Sequence, residues 1–390
     1  MKRILLPLLA ILLFLSIQAQ ESKKPFKFNF GPYIQNVTED GATIIWGTTN
    51  DALSWVEIAP DDDEHFYAKE RESHYQTVLG SRVIGQMHMV RVKNLDSATS
   101  YRYRICSREV DRLHNRVNYG QTITNANYKF DPAMFKTRDP KQKEVSFVMV
   151  NDIHENNKLL ETLLRDAKKE KYDFVVYNGD MMSDIRSQQH LIDGLLSKSS
   201  QVFASEIPIY FARGNHESRG DYAQYFMDYF PTETNMPYYM FSYGPICFLV
   251  LDSGEDKPDS DIEYHGLAEF DSYREEQAEW LKKAVESEEY KNAKFRVVLT
   301  HVPPTNITWH GPLEVKRLFM PILNNADVDI MLCGHLHSND YVDKKKGECN
   351  FPVLINSNFT SLNVKADEHK MELAVQDTLK KVISTYTLSK

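Results

Sequence analysis

The segment "EVSFVMVNDIH", residues 144–154, indicates the fold of the larger part of the chain. A run of apolar residues, several of them strong β-formers, ends abruptly in a carboxylate, Asp152, and an imidazole, His154. Short continuous apolar runs are typical of strands that are buried on both faces of a sheet. The segment therefore predicts a buried strand whose carboxyl end carries polar side chains.

Strand-like runs alternate with helix-like segments from this point onward, which predicts layered α/β architecture. In residues 156–171, for example, four leucines recur at helical spacing and share one face. The predicted strands are 144–152, 172–180, 207–215, a hairpin-like pair in 238–253, 295–301, 328–337, 351–358, 371–378 and 380–389. The predicted helices are 156–171, 185–204, 273–289 and 312–325.

Residues 28–138 show a different sequence pattern, in which short strand-like runs follow one another with turn residues between them. This spacing is typical of a β-sandwich of about a hundred residues. The segment "TRDPKQKE", residues 137–144, is charged and contains Pro140, so we interpret it as a linker. Four cysteines are present without a CxxC spacing, and a cysteine zinc site is therefore not expected.

The composition and the N-terminus limit the functional class. The 390 residues favour two domains, and a formal net charge of −9 argues against a nucleic-acid scaffold. Lys2 and Arg3 precede an apolar run over 4–17, with Ala19 as the expected cleavage site. This layout is typical of a secretory signal peptide over 1–19, and the run is shorter than the ~20 residues of a spanning anchor. We expect a secreted or periplasmic protein with no transmembrane segment in the mature chain.

Metal-ligating side chains occur at the predicted carboxyl ends of the α/β strands, where open α/β sheets place their ligands. These residues are Asp152, His154, Asp180, Asn215, His301, His335 and His337. A mixed set of oxygen and nitrogen donors suits Zn, Mn or Fe. Each single residue has a simpler explanation, as a helix cap, a core histidine or a turn, but five motifs in order at strand ends favour a metal site.

The spacing within the motifs is informative as well. If the chain is extended there, Asp152 and His154 point to the same side, as do His335 and His337. Asp180 is able to bridge two cations, so the seven residues divide into two sites. Gly179, Gly214 and Gly334 stand directly before ligand residues and are expected to allow sharp backbone turns there.

The ordered series "DIH", "GD", "GNHE", "TH" and "GHLH" resembles the calcineurin-like metallophosphoesterase superfamily over about residues 145–390. The segments "FGPYIQNVTEDGATIIWGT", "HMVRVKNLDSATSYRYRI" and "FKTR" resemble the fibronectin-III-like domain that precedes purple acid phosphatases. The resemblance implies a fibronectin-III-like domain over 28–138 and a four-layer α/β/β/α metallophosphoesterase sandwich over 145–390.

The resemblance also implies a ligand assignment with two divalent or mixed-valence ions of Fe, Mn or Zn. The first ion is then held by Asp152, His154, Asp180 and His337, and the second by Asp180, Asn215, His301 and His335. Two departures from purple acid phosphatases stand out. Ser183 takes the place of their iron-binding tyrosine, and the first motif is Asp-x-His where they have Asp-x-Gly. A coloured tyrosinate–iron centre is therefore not expected, and Tyr177 is the one nearby substitute that we identify.

The expected activity is hydrolysis of a small phosphate monoester by a hydroxide held between two cations about 3.5–4 Å apart. We expect His216 to protonate the leaving group, with Glu217 orienting its ring and His310 as a second candidate acid. Arg213 either pairs with phosphate or forms a structural salt bridge. A phosphodiesterase or nucleotidase with the same metals is the nearest alternative, and a non-catalytic binding or adhesion protein is a remote one.

Overall fold

The computed structural model of the protein describes residues 25–113, 116–125, 132–305, 308–345 and 348–390. The predicted signal peptide over 1–19 lies outside these residues. Among the described residues, no helix is long and apolar enough to cross a membrane. The four cysteines are buried free thiols.

The first part of the described chain, up to Lys136, is all-β. Its strand Ala42–Pro60 pairs with Phe28–Gln35 and mainly with Ile84–Val92 through its first half, and with Ser100–Leu113 through its second half. The strands enclose a core around Trp46, whose indole N–H donates to Ser107 Oγ at 3.0 Å. The strands are β1 (Phe28–Gln35), β2 (Ala42–Pro60), β3 (Ser73–Tyr75), β4 (Thr77–Val78), β5 (Ser81–Arg82), β6 (Ile84–Val92), β7 (Ser100–Leu113), β8 (Arg116–Thr124) and β9 (Ala133–Lys136).

The rest of the described chain forms two six-stranded sheets that pack face to face. The strands are β10 (Val145–Val150), β11 (Phe174–Asn178), β12 (Ile209–Ala212), β13 (Tyr239–Tyr243), β14 (Ile246–Leu251), β15 (Phe295–Thr300), β16 (Ile330–Cys333), β17 (Asp340–Val342), β18 (Val353–Ile355), β19 (Thr360–Ala366), β20 (Lys370–Asp377) and β21 (Val382–Ser389). The first sheet has the order β12-β11-β10-β19-β20-β21 and the second β13-β14-β15-β16-β18-β17. Between the sheets, the ring of Phe147 in the first meets that of Phe248 in the second edge to face, with centroids 5.4 Å apart.

Helices cover the outer faces of both sheets and complete the predicted α/β/β/α sandwich. The core on the first sheet receives residues from Asn157–Leu164, Ala167–Glu170, Gln188–Leu191 and Phe226–Tyr229, and from the π-helical turns Ile192–Leu196 and Ser200–Ala204. The short helix Ser197–Ser199 lies between these two turns. The second sheet is covered by Phe270–Ala284, Glu288–Asn292, His310–Leu318 and Met320–Leu323. Short 3-10 helices are His216–Ser218, Ala223–Tyr225 and Ile262–Tyr264.

The predicted helix over 156–171 is divided in two. Its four leucines are buried on one face as expected, but the first helix ends at Leu164 and the second begins after Asp166. Aspartate is a poor residue for a helix interior and favours the position before a helix, which agrees with this break.

The all-β part and the α/β part share a continuous core. Phe30 and Tyr33 belong to the same apolar cluster as the leucines of the first helix layer. The Tyr33 hydroxyl donates to the carbonyl of Tyr229 at 2.7 Å, and the Tyr103 hydroxyl donates to the carbonyl of Ser205 at 2.7 Å. The two parts are therefore packed against each other through buried contacts.

Candidate metal centre

The seven predicted ligand residues follow the carboxyl ends of five strands, as the sequence predicts. Strands β10, β11 and β12 run parallel in the first sheet, and β15 and β16 run parallel in the second. The loops after these strands meet at one edge of the sandwich. Of the seven residues, all except His154, His335 and His337 are buried.

The expectation of extended backbone at the paired ligands is wrong. Strand β10 ends before Asp152, which has φ 53°, and His154 has φ 46°. His335 and His337 follow the end of β16 with φ 70° and 53°. Non-glycine residues in the left-handed region are uncommon and cluster at functional sites.

Hydrogen bonds between neighbouring loops hold this backbone in place. The N–H groups of Asp152 and His154 donate to the carbonyls of Gly179 and Asp180, each at 3.0 Å. The loop after β10 is therefore fixed to the loop after β11, and the side chains of Asp152 and Asp180 approach one region from two strands.

The three glycines act in two ways. Gly179 has φ 84° and provides the sharp turn that was expected. Gly214 and Gly334 are needed for close approach: a Cβ on Gly334 would lie 2.9 Å from Asp152 Oδ2, and one on Gly214 would overlap Asp180. Neither of these two glycines has a positive φ, so close packing explains them.

The donor atoms form two groups, each with its atoms within 4.8 Å of one another. In the first group, His337 Nε2 lies 3.1 Å from Asp152 Oδ1 and 3.4 Å from His154 Nε2. The second group comprises Asp180, His301 and His335, with His301 Nε2 at 2.9 Å from Asp180 Oδ2. The same nitrogen is 3.8 Å from Asp152 Oδ1, so the groups adjoin.

Unpartnered polar atoms show that this donor set fits cations. Asp152 Oδ1, Asn215 Oδ1 and His301 Nε2 are buried and have no hydrogen bond of acceptable geometry. Burying such atoms without a partner is costly, and a bound ion would satisfy them. His301 Nδ1 lies 2.7 Å from the carbonyl of Asn178 and must donate to it, which directs the Nε2 lone pair into the site.

The charges of the site also favour a cation. Burial would lower the pKa of His301, but the carboxylates of Asp180 and Asp152 raise it to about 10. Burial opposes ionisation of Asp180, but the adjacent His301 lowers the pKa of this carboxyl. Burial lowers the pKa of His335 to about 4, which keeps its ring neutral. The carboxylates thus draw a proton onto His301, and a metal ion would replace this proton.

His216 stands beside the donor set. Its backbone N–H donates to Asp180 Oδ1 at 3.0 Å, and the centroid of its ring lies 4.9 Å from that of His154. Its Nδ1 lies 2.6 Å from the carbonyl of Ser183, so this nitrogen carries the donated proton. Arg219 Nη1 lies 3.1 Å from the other ring nitrogen, Nε2.

Glu217 has a different position from the one predicted. Its buried carboxylate accepts hydrogen bonds from the N–H groups of Asp180, Gly214 and Met182 at 2.9, 2.9 and 3.0 Å. Burial and the negative charge of Asp180 raise the pKa of Glu217 to about 7. The prediction that Glu217 orients the His216 ring is wrong, because its oxygens hold the loops after β11 and β12 together.

His310 begins a helix and pairs with a residue of another helix. Its Nε2 lies 2.8 Å from Asp271 Oδ1. None of the described contacts joins His310 to the seven donor residues. The preceding residue, Trp309, is closer to the site, since its exposed ring lies 6.2 Å from that of His335.

Arg213 forms a salt bridge with the buried carboxylate of Asp252, with Nη2 2.6 Å from Oδ2. Of the two roles considered for Arg213, the structure therefore shows the structural salt bridge.

A third cluster of potential donor atoms comprises Glu155, Asp184 and His190. There the Arg186 guanidinium lies 2.6 Å from His190 and 3.1 Å from Asp184, so a cation is already present.

We predict that Glu217→Gln destabilises the protein. The amide nitrogen would face a backbone N–H donor, and an unsatisfied buried donor costs about 1–3 kcal/mol. Chemical unfolding should show this loss, whereas Glu276→Gln, a change at an exposed helix position, should leave the free energy of unfolding nearly unchanged. A stability equal to that of the unaltered protein would contradict the bracing role of Glu217.

Comparisons with known proteins agree with this fold. The chain is similar to purple acid phosphatase PPD1 from yellow lupin (Lupinus luteus) seeds, with a TM-score of 0.68 and 16% identity, over 92% of this chain and 74% of that one. A phosphoesterase from E. coli, Yfce, is aligned over 62% of this chain and 98% of its own, with 13% identity and a TM-score of 0.31 that supports no inference. Curated protein sequences give no match.

The family model of calcineurin-like phosphoesterases matches residues 145–339, half of the 390-residue chain. The matched range contains the loops that carry all seven donor residues. Proteins of this family are metal-dependent hydrolases with a dinuclear metal site. The chain is therefore a member of the calcineurin-like phosphoesterase family.

Proposed function

We propose that the protein is an exported phosphomonoesterase that depends on two metal ions. The observation that carries this proposal is the seven-residue donor set with three unpartnered buried atoms, Asp152 Oδ1, Asn215 Oδ1 and His301 Nε2. The N-terminal layout of 1–19 supports export. The likeness to a purple acid phosphatase supports a phosphomonoester substrate and a fibronectin-III-like domain over 28–138.

The two ions are assigned to ligand sets that share Asp180. Asp152, His154 and His337 would complete the first set, and Asn215, His301 and His335 the second. Such ions supply activation of a water molecule and neutralisation of charge on the phosphoryl oxygens. The protein contributes fixed donors, since the carbonyl of Asn178 orients His301 and Glu217 braces the backbone of Asp180.

The donor chemistry favours Fe, Mn or Zn without a tyrosinate ligand. Ser183 stands where purple enzymes carry tyrosine. Tyr177 does not replace that tyrosine, because its buried hydroxyl lies 2.7 Å from Ser199 Oγ and belongs to the core under the first helix layer. We therefore propose a centre without a tyrosinate-to-iron absorption band.

His216 is the proposed proton donor to the leaving oxygen. Its Nδ1 proton is engaged by the carbonyl of Ser183, so the transferable proton is the one on Nε2. The hydrogen bond from its backbone N–H to Asp180 fixes the ring beside the donor set. His310, which is paired with Asp271, remains the second candidate for the general acid.

The proposal predicts that the metal-reconstituted protein hydrolyses nitrophenyl phosphate and an alkyl phosphate faster than bis(nitrophenyl) phosphate. The proposal assigns to the site a phosphate monoester, in which the phosphorus carries a single ester substituent. Release of nitrophenol and of inorganic phosphate measures both classes. Faster hydrolysis of the diester would make the protein a phosphodiesterase, and no hydrolysis of either class would contradict the proposed enzyme.

We predict that His216→Ala slows alkyl phosphates about 10²–10⁴-fold, the usual contribution of general acid catalysis. Nitrophenyl phosphate should be slowed far less, because nitrophenolate leaves without a proton. Metal content must be the same in both proteins. Equal losses on the two substrates would make His216 a positioning residue, and His310→Ala would then be tested with the same pair.

A further inference from the structure

Arg219 connects His216 with a buried carboxylate on another loop. Its Nε lies 2.7 Å from Glu255 Oε1, and its Nη2 lies 2.8 Å from Glu255 Oε2. The pair is therefore bidentate, which fixes the plane of the guanidinium as well as its position. The remaining nitrogen, Nη1, is the one that faces His216 Nε2, at 3.1 Å.

Glu255 is itself held firmly, so it is able to position Arg219. Its side chain is 2% exposed. The fully buried Arg274 donates through Nε to the carbonyl of Ser253 at 2.8 Å, and its Nη2 donates to the carbonyl of Glu255. The N–H of Gly311 donates to the carbonyl of Asp256 at 2.8 Å. The backbone on both sides of Glu255 is thus anchored to two helices.

The two arginines near the site differ in accessibility and direction. Arg213 is paired with a carboxylate that is completely buried, and its side chain is 16% exposed. Arg219 keeps a third of its side chain exposed, beside a histidine ring whose side chain is 27% exposed. Glu255 does not bind Nη1 of Arg219, and this nitrogen lies beside the partly exposed ring of His216.

We propose that Arg219 binds substrate, with Nη1 donating a hydrogen bond to a non-bridging oxygen of the phosphate ester. This inference rests on the proposed function. Nη1 carries two N–H bonds, and at most one of them is directed at His216 Nε2, so the other is able to reach a phosphoryl oxygen beside the leaving oxygen. Guanidinium groups suit phosphate because their donors are planar and permanently charged. Glu255 is the positioning residue.

The inference predicts that Arg219→Ala lowers kcat/KM for nitrophenyl phosphate about 10- to 150-fold, the value of one charge-assisted hydrogen bond. Inorganic phosphate should also inhibit Arg219→Ala less strongly than it inhibits the unaltered protein. Added guanidinium should restore part of the activity of Arg219→Ala, whereas Arg219→Lys, which keeps the charge without the fork, should remain impaired. Metal content and the thermal midpoint are measured for each variant.

Arg186→Ala is the matched control, because it removes a positive charge near the site from an exposed side chain paired with Asp184. It should behave as the unaltered protein does. Unchanged kcat/KM and phosphate inhibition in Arg219→Ala would overturn the inference, as would an equal loss in Arg186→Ala or a loss that guanidinium does not rescue. If Arg219→Ala fails to fold, Arg219→Lys decides through its phosphate inhibition constant.

The role of Arg219 can be tested separately from the proposed phosphomonoesterase activity. A protein that hydrolyses phosphate esters equally well with and without Arg219 overturns only the role of Arg219. If the unaltered protein hydrolyses no phosphate ester, calorimetric titration of the metal-loaded protein with inorganic phosphate still tests the contact. Weaker phosphate binding by Arg219→Ala then supports it, and equal binding overturns it.

Discussion

The buried carboxylate of Asp180 is the group on which the rest of the site depends. An isolated charge in a protein interior is strongly unfavourable unless opposite charges and hydrogen bonds compensate it. Here Oδ1 accepts the N–H of His216, and Oδ2 lies 2.9 Å from His301. With Asp152 also buried nearby, the site holds more negative charge than its hydrogen bonds satisfy, and cations are the natural compensation.

The fold makes this concentration of charge possible. Three loops come from the parallel strands of one sheet and two from those of the other, so ligands distant in sequence meet at one edge. The backbone there adopts left-handed angles at Asp152, His154, Asp180, His335 and His337. Bonds between adjacent loops and the three N–H groups bound by Glu217 hold this arrangement.

The sequence predicted those features that depend on local pattern. The strand ends and the positions of the seven donor residues follow from apolar runs that end in polar motifs, whereas the four-layer sandwich was implied by the resemblance to calcineurin-like metallophosphoesterases. It did not predict the roles of Glu217, Arg219 and Glu255, since their contacts join loops that are far apart in the chain. The extended backbone expected at Asp152 and His154 failed for a related reason: hydrogen bonds to the neighbouring loop, which no local pattern reveals, set these angles.

The number of metal ions bound per chain is the direct test of a dinuclear centre. Titration of the metal-free protein with Zn²⁺ or Mn²⁺, checked by elemental analysis after removal of free metal, should give two ions per chain. Asp180→Asn should lose at least one of them, while Asp184→Asn, in the cluster that Arg186 already neutralises, should keep both. One ion or none in the unaltered protein, or two equally tight ions in Asp180→Asn, would contradict a dinuclear centre built around Asp180.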